Sequence, residues 1–516
     1  MAVERPAGSR GRTAGLWLGP AAFLLLMVFP VDPGNPAASH LAAVALLMAV
    51  WWVTDAIPLF ATALLPLALY PLLGIMAGRE TAPIYFNSTI ALFLGGFMIA
   101  LTMEKWGLHR RIALGVIHAV GGGPARIVLG FMVAAAFLSM WISNTATAVM
   151  MVPIGLAIVL RIESGAGREK ARRFSVGLML GIAYGCTVGG LTTLVGTPPN
   201  LSFVRIFEIL FPKAPPVAFG QWLVMALPVG AIMLVAAWLL ITRVFHRVPE
   251  EVTVDRDVVA TERAKLGAIS FEERAVLGVF AATALLWVFR ADLQLGFFTI
   301  PGWSRLLPDP GLIDDGTVAI TLAAVLFVIP ARNRKEGATR IMGPDVVPRL
   351  PWNIVLLFGG GFALAAGFQD TGLAQLVGSR FEALGNLPVF VTILLVCAAL
   401  TFLTEFTSNT ATTEMILPIL ASVAVATGTH PLALMIPATL SASCAFMMPV
   451  ATPPNAIVFG SNRIAAGEMA RAGIVLNLIG VAVIATAVFT VGLAVFDIDP
   501  AVVPEWARTA TGGPTG

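Results

Sequence analysis

Apolar residues run along this chain in stretches long enough to cross a bilayer as helices, about 20 residues each, and polar residues gather between them. Such stretches lie near 15–30, 39–54, 58–77, 88–103, 174–196, 218–242, 275–289, 315–330, 352–367, 431–449 and 473–496. None shows the alternating pattern of a membrane barrel strand, so each predicts a spanning α-helix. Two further stretches, 125–160 and 386–426, are too long for one span, and each is interrupted midway by the polar triplet Ser-Asn-Thr. Each predicts a hairpin that enters and leaves on the same side. The expected fold is an all-α polytopic membrane protein: eleven transmembrane helices plus two re-entrant hairpins.

Charge supports this drawing over its alternatives. With a cytoplasmic N-terminus, the positive-inside rule gathers on one side Arg5, Arg10 and Arg12, the clusters Lys105 to Arg126 and Arg161 to Arg173, those from Arg243 to Arg274 and from Arg332 to Arg349, and Arg463 with Arg471. Only Arg79, Arg205, Lys213, Arg290, Arg305, Arg380 and Arg508 fall outside. Making either long stretch a single crossing inverts everything after it and spoils the bias. The first run follows three arginines, as in a signal peptide, but no small-residue cleavage site is evident, so it is expected to remain as the first span.

Composition agrees, since 58% hydrophobic and 12% charged residues leave no soluble domain of any size. Cys186, Cys397 and Cys444 lack CxxC spacing, and the five histidines lack metal spacing, so neither a disulfide framework nor a zinc site is predicted. The Gly-Gly-Gly runs at 121–123 and 359–361 lack the Lys of a phosphate loop, and in membrane helices such glycines permit close packing.

The triplet belongs to a set of echoes. LFLGGF (Leu92 to Phe97) returns as LFGGGF (Leu357 to Phe362), Trp106-Gly107-Leu108 as Thr371-Gly372-Leu373, and Ser143-Asn144-Thr145 as Ser408-Asn409-Thr410, always 265 positions on. GTPPN (Gly196 to Asn200) returns as ATPPN (Ala451 to Asn455), 255 positions on. The first hairpin opens from the cytoplasm and the second from outside, so the copies are two inverted repeats, an arrangement found in many secondary transporters.

An isolated polar triplet commonly just joins neighbouring helices, each contact contributing about 0.6 to 2 kcal/mol. Two copies, each followed by a matching Thr-Pro-Pro-Asn, point instead to a site. Ser, Asn and Thr are N-cap residues and Pro suits the first helical position, so all four motifs read as places where a helix breaks and restarts. Restarted helices present free N–H groups and positive dipole ends beside freed carbonyls. At membrane depth such backbone is tolerated only where it is buried in protein or lines a site. The motifs contain no Lys or Arg, and a helix end supplies only about half a charge. A divalent anion is better balanced by co-bound Na+ held by Ser, Thr, Asn and carbonyl oxygens, which is a rationale for coupled transport rather than enzymatic chemistry.

Paired SNT motifs in re-entrant hairpins, each followed by TPPN, resemble the divalent anion:sodium symporter family, carriers of dicarboxylates, citrate or sulfate. The resemblance runs from about residue 40 to 496. It implies a homodimer in the plasma (inner) membrane, each subunit with a scaffold domain and a transport domain that slides as an elevator. The corresponding division is a cytoplasmic tail 1–14, scaffold 15–103, transport 104–217, scaffold 218–367, transport 368–498 and an extracytoplasmic tail 499–516. Carried over by motif, the substrate site comprises Asn144, Thr145, Ser408, Asn409, Thr410, Thr452 and Pro453. The first sodium site comprises Ser139, Ser143, Asn144 and Gly196. By the repeat, the second comprises Thr404, Thr407, Asn409 and Ala451, with Thr407 contributing through its carbonyl.

The expected activity is Na+-coupled import of a C4 dicarboxylate such as succinate or malate, with sulfate or citrate transport, proton coupling or exchange as alternatives. Glu405 and Glu414 flank the second triplet, and an intramembrane acid is a functional hypothesis, for instance as a proton carrier. The first repeat has Met140 and Val149 there, which favours a structural or pairing role. Asp55 and Glu104, near span ends, are expected to be interfacial.

Overall fold

The computed structural model describes residues 10–245, 256–294, 298–333, 337–381 and 387–510. Parts of the expected tails, 1–9 and 511–516, lie outside the described residues, as do Arg5, Arg247, Arg334 and Lys335 of the basic segments.

Every predicted run contains a helix, though those at 174–196 and 431–449 leave helix after Leu191 and Ala442. The first half contains α1 (Arg10–Val28), α2 (Pro36–Thr54), α3 (Leu59–Leu72, interrupted after Thr62), α4 (Ser88–Lys105), α5 (Leu108–Val120), α6 (Pro124–Ser139), α7 (Asn144–Ala166), α8 (Arg168–Leu191), α9 (Pro198–Leu210) and α10 (Phe219–Leu239). The second contains α11 (Arg256–Lys265), α12 (Phe271–Val288), α13 (Asp315–Val328), α14 (Trp352–Asp370), α15 (Leu373–Ser379), α16 (Val389–Thr404), α17 (Asn409–Ala426), α18 (Pro431–Ala442), α19 (Pro453–Phe459), α20 (Ala466–Ala487) and α21 (Glu505–Ala510). Among the described residues, nine helical segments are long and apolar enough to cross a membrane, and five shorter apolar helices accompany them. Two of the nine, Asn144–Ser164 and Asn409–Ala426, are second arms of the predicted hairpins.

The hairpins break where the triplets stand. α6 and α7 both pack on α8, while α16 and α17 both pack on α18, so each pair of arms shares one supporting helix. Helices α5 and α15 are absent from the reading of apolar runs because they are short pieces beside the spans rather than spans themselves. Each begins after a glycine of the second echo, Gly107 at φ 77° and Gly372 at φ 75°. That left-handed backbone turns the chain out of the preceding helix at little steric cost to glycine.

The glycine echoes are packing devices. A Cβ on Gly95 would meet the Ala319 Cβ at 2.6 Å, and one on its counterpart Gly360 would meet the Ala63 Cβ at 2.6 Å. Neighbouring Gly359 lies against Tyr85, where a Cβ would come to 1.9 Å from the ring. α4 thereby approaches α13, and α14 approaches α3, with backbones close together.

Ion pairs join the helix ends that carry the basic segments: Arg12–Asp55 at 2.6 Å, Lys105–Asp345 at 2.9 Å, Arg110–Glu262 at 2.8 Å, Arg111–Glu273 at 2.7 Å, Arg172–Glu468 at 2.9 Å and Arg349–Glu104 at 3.0 Å. Asp55 and Glu104 are thus paired near helix ends, as expected. The Lys105 ammonium beside Asp345 holds that carboxyl below the usual carboxylate range.

Candidate functional site

Each hairpin restarts its helix on a serine. Ser143 Oγ accepts from Ala146 N at 3.3 Å to start α7, and Ser408 Oγ accepts from Ala411 N at 3.5 Å to start α17. The TPPN motifs restart the interrupted helices: Thr197 precedes Pro198 of α9, and Thr452 precedes Pro453 of α19, its Oγ1 accepting from Asn455 N at 3.3 Å. The breaks span 192–197 and 443–452. α19 has only seven residues, so its dipole is weaker than the sequence pattern implies.

The last residue of each TPPN ties its own break together. Asn200 Nδ2 lies 3.3 Å from the Gly190 carbonyl, 3.2 Å from that of Leu191 and 2.7 Å from that of Thr193. Asn455 Nδ2 donates to the carbonyls of Ala445 and Met448, both at 3.1 Å. Ala445 and Met448 are the 255-offset counterparts of Gly190 and Thr193, so one bonding scheme recurs in both halves. The motif alone assigns these asparagines no role; their identical place in both copies is the signal that marks them.

The halves are interlocked. The second arm of the first hairpin, α7, packs against α19 of the other repeat, and the second arm of the second hairpin, α17, packs against α9. Ser202 of α9 reaches Glu414 of α17 at 2.5 Å, so these two helices touch within about a turn and a half of their starts.

At the first hairpin the structure brings Asn144 onto Gly190: a Cβ on Gly190 would lie 2.8 Å from Asn144 Oδ1 and 3.1 Å from the Gly196 carbonyl. Asn144, Gly190 and Gly196 therefore form one close-packed group that tolerates no side chain at 190. Asn144 Oδ1 and Ser139 Oγ are both buried without a hydrogen-bond partner. Thr145 lies in the first turn of α7, half-buried.

At the second hairpin, Thr404 Oγ1 lies 2.6 Å from Asn409 Oδ1 and 2.7 Å from the Ala442 carbonyl. One hydroxyl proton cannot serve both oxygens. The trio therefore either turns the Asn409 amide nitrogen inward or takes up a cation. The Thr407 hydroxyl is committed within the hairpin, donating to the Leu403 carbonyl at 3.0 Å with Thr412 Oγ1 at 2.7 Å, which leaves its carbonyl as its free group. Thr410 and Thr452 are buried, whereas Pro453 is exposed. The Ala451 N–H donates to Met448 O at 3.1 Å, and no hydrogen bond links Ala451 directly to Thr404 or Asn409.

Glu405 has the structural role favoured for it. Its Oε1 accepts from the N–H groups of Phe446 and Met447 at 2.7 and 2.8 Å and from Asn477 Nδ2 at 2.7 Å, and its Oε2 from Met448 N at 3.0 Å. The carboxylate fastens the hairpin tip to the break between α18 and α19. Tyr184 adds a brace across the repeats, its hydroxyl 3.0 Å from the Phe446 carbonyl and 3.2 Å from that of Met469.

A family model described as the sodium:sulfate symporter transmembrane region matches residues 12–497. The sodium-dependent dicarboxylate transporter SdcS of Staphylococcus saprophyticus is 40% identical over 502 residues, covering 96% of this chain and 94% of that one. Its namesake in Staphylococcus aureus is 40% identical over 497 residues, covering 95% and 93%. Among solved structures, the YdaH transporter of Alcanivorax borkumensis superposes with a TM-score of 0.56 at 16% identity, over 94% of this chain and 100% of that one. That likeness concerns the fold alone. With matches across nearly its whole length and the paired hairpin motifs in place, the chain is a multi-pass membrane protein of the divalent anion:sodium symporter family.

Proposed function

We propose that the protein imports a small dicarboxylate, a C4 acid such as succinate or malate, together with Na+. The observation that carries this reading is the surplus of oxygen at both hairpins: Asn144 Oδ1 buried without a donor in one, and three oxygens sharing the Thr404 proton in the other. Buried oxygens without protons to share suit a bare cation, and the Ser-capped starts of α7 and α17 suit an anion beside it. The substrate residues are Asn144, Thr145, Ser408, Asn409, Thr410, Thr452 and Pro453. Na+ is held at Ser139, Ser143, Asn144 and Gly196, and at Thr404, Thr407, Asn409 and Ala451. Na+ binding completes the anion pocket before the site changes sides. The names of the staphylococcal relatives support both the ion and the substrate class.

Alternating access is supported by an asymmetry between the repeats. Glu414 on the second hairpin is fully buried against α14, while its counterpart Val149 on the first is 56% exposed. Val149 lines a cavity of about 170 Å³ with Glu104 and His109 at the basic end of α4 and α5. This is a cytoplasm-facing state of an elevator, closed outside and open inside. The working unit is a homodimer in the plasma membrane with a cytoplasmic N-terminus.

The test is uptake of labelled succinate into liposomes holding the purified protein. Uptake occurs only with an inward Na+ gradient, and Asn144→Ala or Asn409→Ala abolishes it. Uptake indifferent to Na+ or to both substitutions overturns the reading.

A further inference from the structure

Glu414 plays no part in the site described above. It lies on α17 one turn beyond Thr410, with Oε1 2.5 Å from Ser202 Oγ and Oε2 buried without a partner. That second oxygen fills the place of a missing side chain: a Cβ on Gly361 of α14 would come within 1.7 Å of it. The third glycine of the 359–361 run thus makes room for a carboxyl of the hairpin, while the first two pack against Tyr85 and Ala63.

Among the described residues no cation balances this group. The elements packed on α17 are α2, α9, α14, α15 and α18. Of their charged or titratable groups, Arg205 on α9 pairs with Glu208 at 3.1 Å, His40 on α2 bonds the Leu73 carbonyl at 2.8 Å, and Asp370 stands at the far end of α14; α15 and α18 carry none. An ionised carboxylate here has one hydroxyl donor and one bare oxygen in a buried contact, whereas the neutral acid fits it.

The repeat supplies the second observation. Position 414 corresponds to Val149 and Gly361 to Gly96, both at the 265 offset. Val149 faces open space, and a Cβ on Gly96 would meet nothing closer than 3.6 Å. One hairpin is docked on its glycine and the other is not. Exchanging the two arrangements, as inverted repeats do when the carrier turns outward, docks Val149 and opens Glu414 to the outer vestibule.

We propose that Glu414 is a proton-binding site, exposed in the outward-facing state and docked as the neutral acid against Gly361 in the inward-facing one. The carboxylate takes up one proton from the outside before the hairpin docks and returns it to the same side when the hairpin leaves. No proton crosses the membrane; external pH sets how readily the loaded carrier turns inward. This rests on the alternating-access reading above.

The experiment measures Na+-driven succinate uptake into right-side-out vesicles with the inside pH clamped, as the outside pH is raised from about 7 to about 9, where succinate is already fully ionised. Uptake by the parent protein falls by up to about tenfold per pH unit once the exposed carboxyl ionises. Glu414→Gln, which keeps the shape and the Ser202 contact, transports at all these values without the decline. Changing the inside pH alone leaves both proteins unaffected. Identical outside-pH profiles for the two proteins, or a response to inside pH that Glu414→Gln removes, overturn the proposal. As a second measurement, Glu414→Cys in a protein whose three buried cysteines are replaced is labelled by a membrane-impermeant thiol reagent from outside during turnover; absence of labelling overturns it equally. Absence of Na+-driven uptake in parent and variant alike, with folded protein, overturns the transport reading and this inference together.

Discussion

Glu405 Oε2 accepts from the backbone N–H of Met448 at 3.0 Å, and the same two positions are joined in the other repeat by different chemistry. There the Met140 carbonyl accepts from Thr193 Oγ1, with Met140 corresponding to Glu405 and Thr193 to Met448. The hairpin tip is fastened to the broken helix in both halves, once by a backbone acceptor and once by a carboxylate. Replacing Glu405 by Gln puts an NH2 group against backbone donors and removes charge-assisted bonds that contribute about 1.5 to 3 kcal/mol each. Glu405→Gln is expected to lower Na+-driven uptake more than tenfold, a loss of about 1.4 kcal/mol or more, and to lower the thermal unfolding temperature in detergent. Unchanged uptake and unfolding would show that the tip holds its place without the carboxylate.

Asn200 and Asn455 make the same prediction for each half. Each amide NH2 faces carbonyls of its own break, and a carboxylate in its place confronts them with like partial charge and no proton. Asn200→Asp and Asn455→Asp should both abolish uptake, while the Ala variants should raise the Na+ concentration needed for half-maximal uptake. If one Asp variant transports normally, the two breaks are not equivalent.

Much of this was legible in the sequence because membrane helices advertise themselves by length and hydropathy, and because the repeat set two copies of each motif side by side. The eleven runs, the two interruptions and the caps Ser143, Ser408 and Thr452 needed only local information. Helices α5 and α15 did not show, since their glycine-led turns and short apolar content resemble any loop beside a span. Nor did the main-chain partners of Glu405, N–H groups about 40 residues on, or the Ser202–Glu414 contact across the repeats. Main-chain donors leave no mark in residue identity, and a contact between repeats is fixed by packing that neither segment encodes alone. The overlap of Glu414 with the empty side of Gly361 explains why the triple glycine exists, which composition showed only as permission to pack closely.

Gly359 and Gly115 separate packing from helix propensity. A Cβ at 359 would meet Tyr85 at 1.9 Å, and Tyr85 is itself held by a hydrogen bond from its hydroxyl to the Ala63 carbonyl at 2.6 Å. Gly359→Ala should cost about 1 to 3 kcal/mol through overpacking. At Gly115 in α5 nothing lies within 4 Å of the added atom, so Gly115→Ala should gain about 0.5 to 1 kcal/mol from helix propensity. Thermal unfolding in detergent reads both, and opposite signs are required.

His430 should make the end of the protein where α18 begins sensitive to acid. It sits just before α18, where its N–H donates to the Pro500 carbonyl at 3.2 Å, its Nδ1 accepts from Leu432 N at 3.2 Å, and Trp506 of α21 stands edge-on at 5.4 Å. Trp506 also packs on Phe207 and Phe211 of the α9 end, so this ring helps hold the C-terminal strap to α9. Burial pushes the imidazole down to about 4 from 6.5, against the opposing pull of Asp499. Between those values the unfolded chain binds a proton that the folded one refuses, so stability is complete above pH 6.5 and declines as the pH falls toward 4. At about 1.4 kcal/mol per unit the loss totals about 3 kcal/mol. Unfolding should therefore come at a lower temperature at about pH 4.5 than at about pH 7, and His430→Gln, which keeps a side-chain acceptor for Leu432 N but does not titrate, should remove most of that difference. Equal acid sensitivity in the two proteins would assign the effect to other groups and leave the imidazole a packing element only.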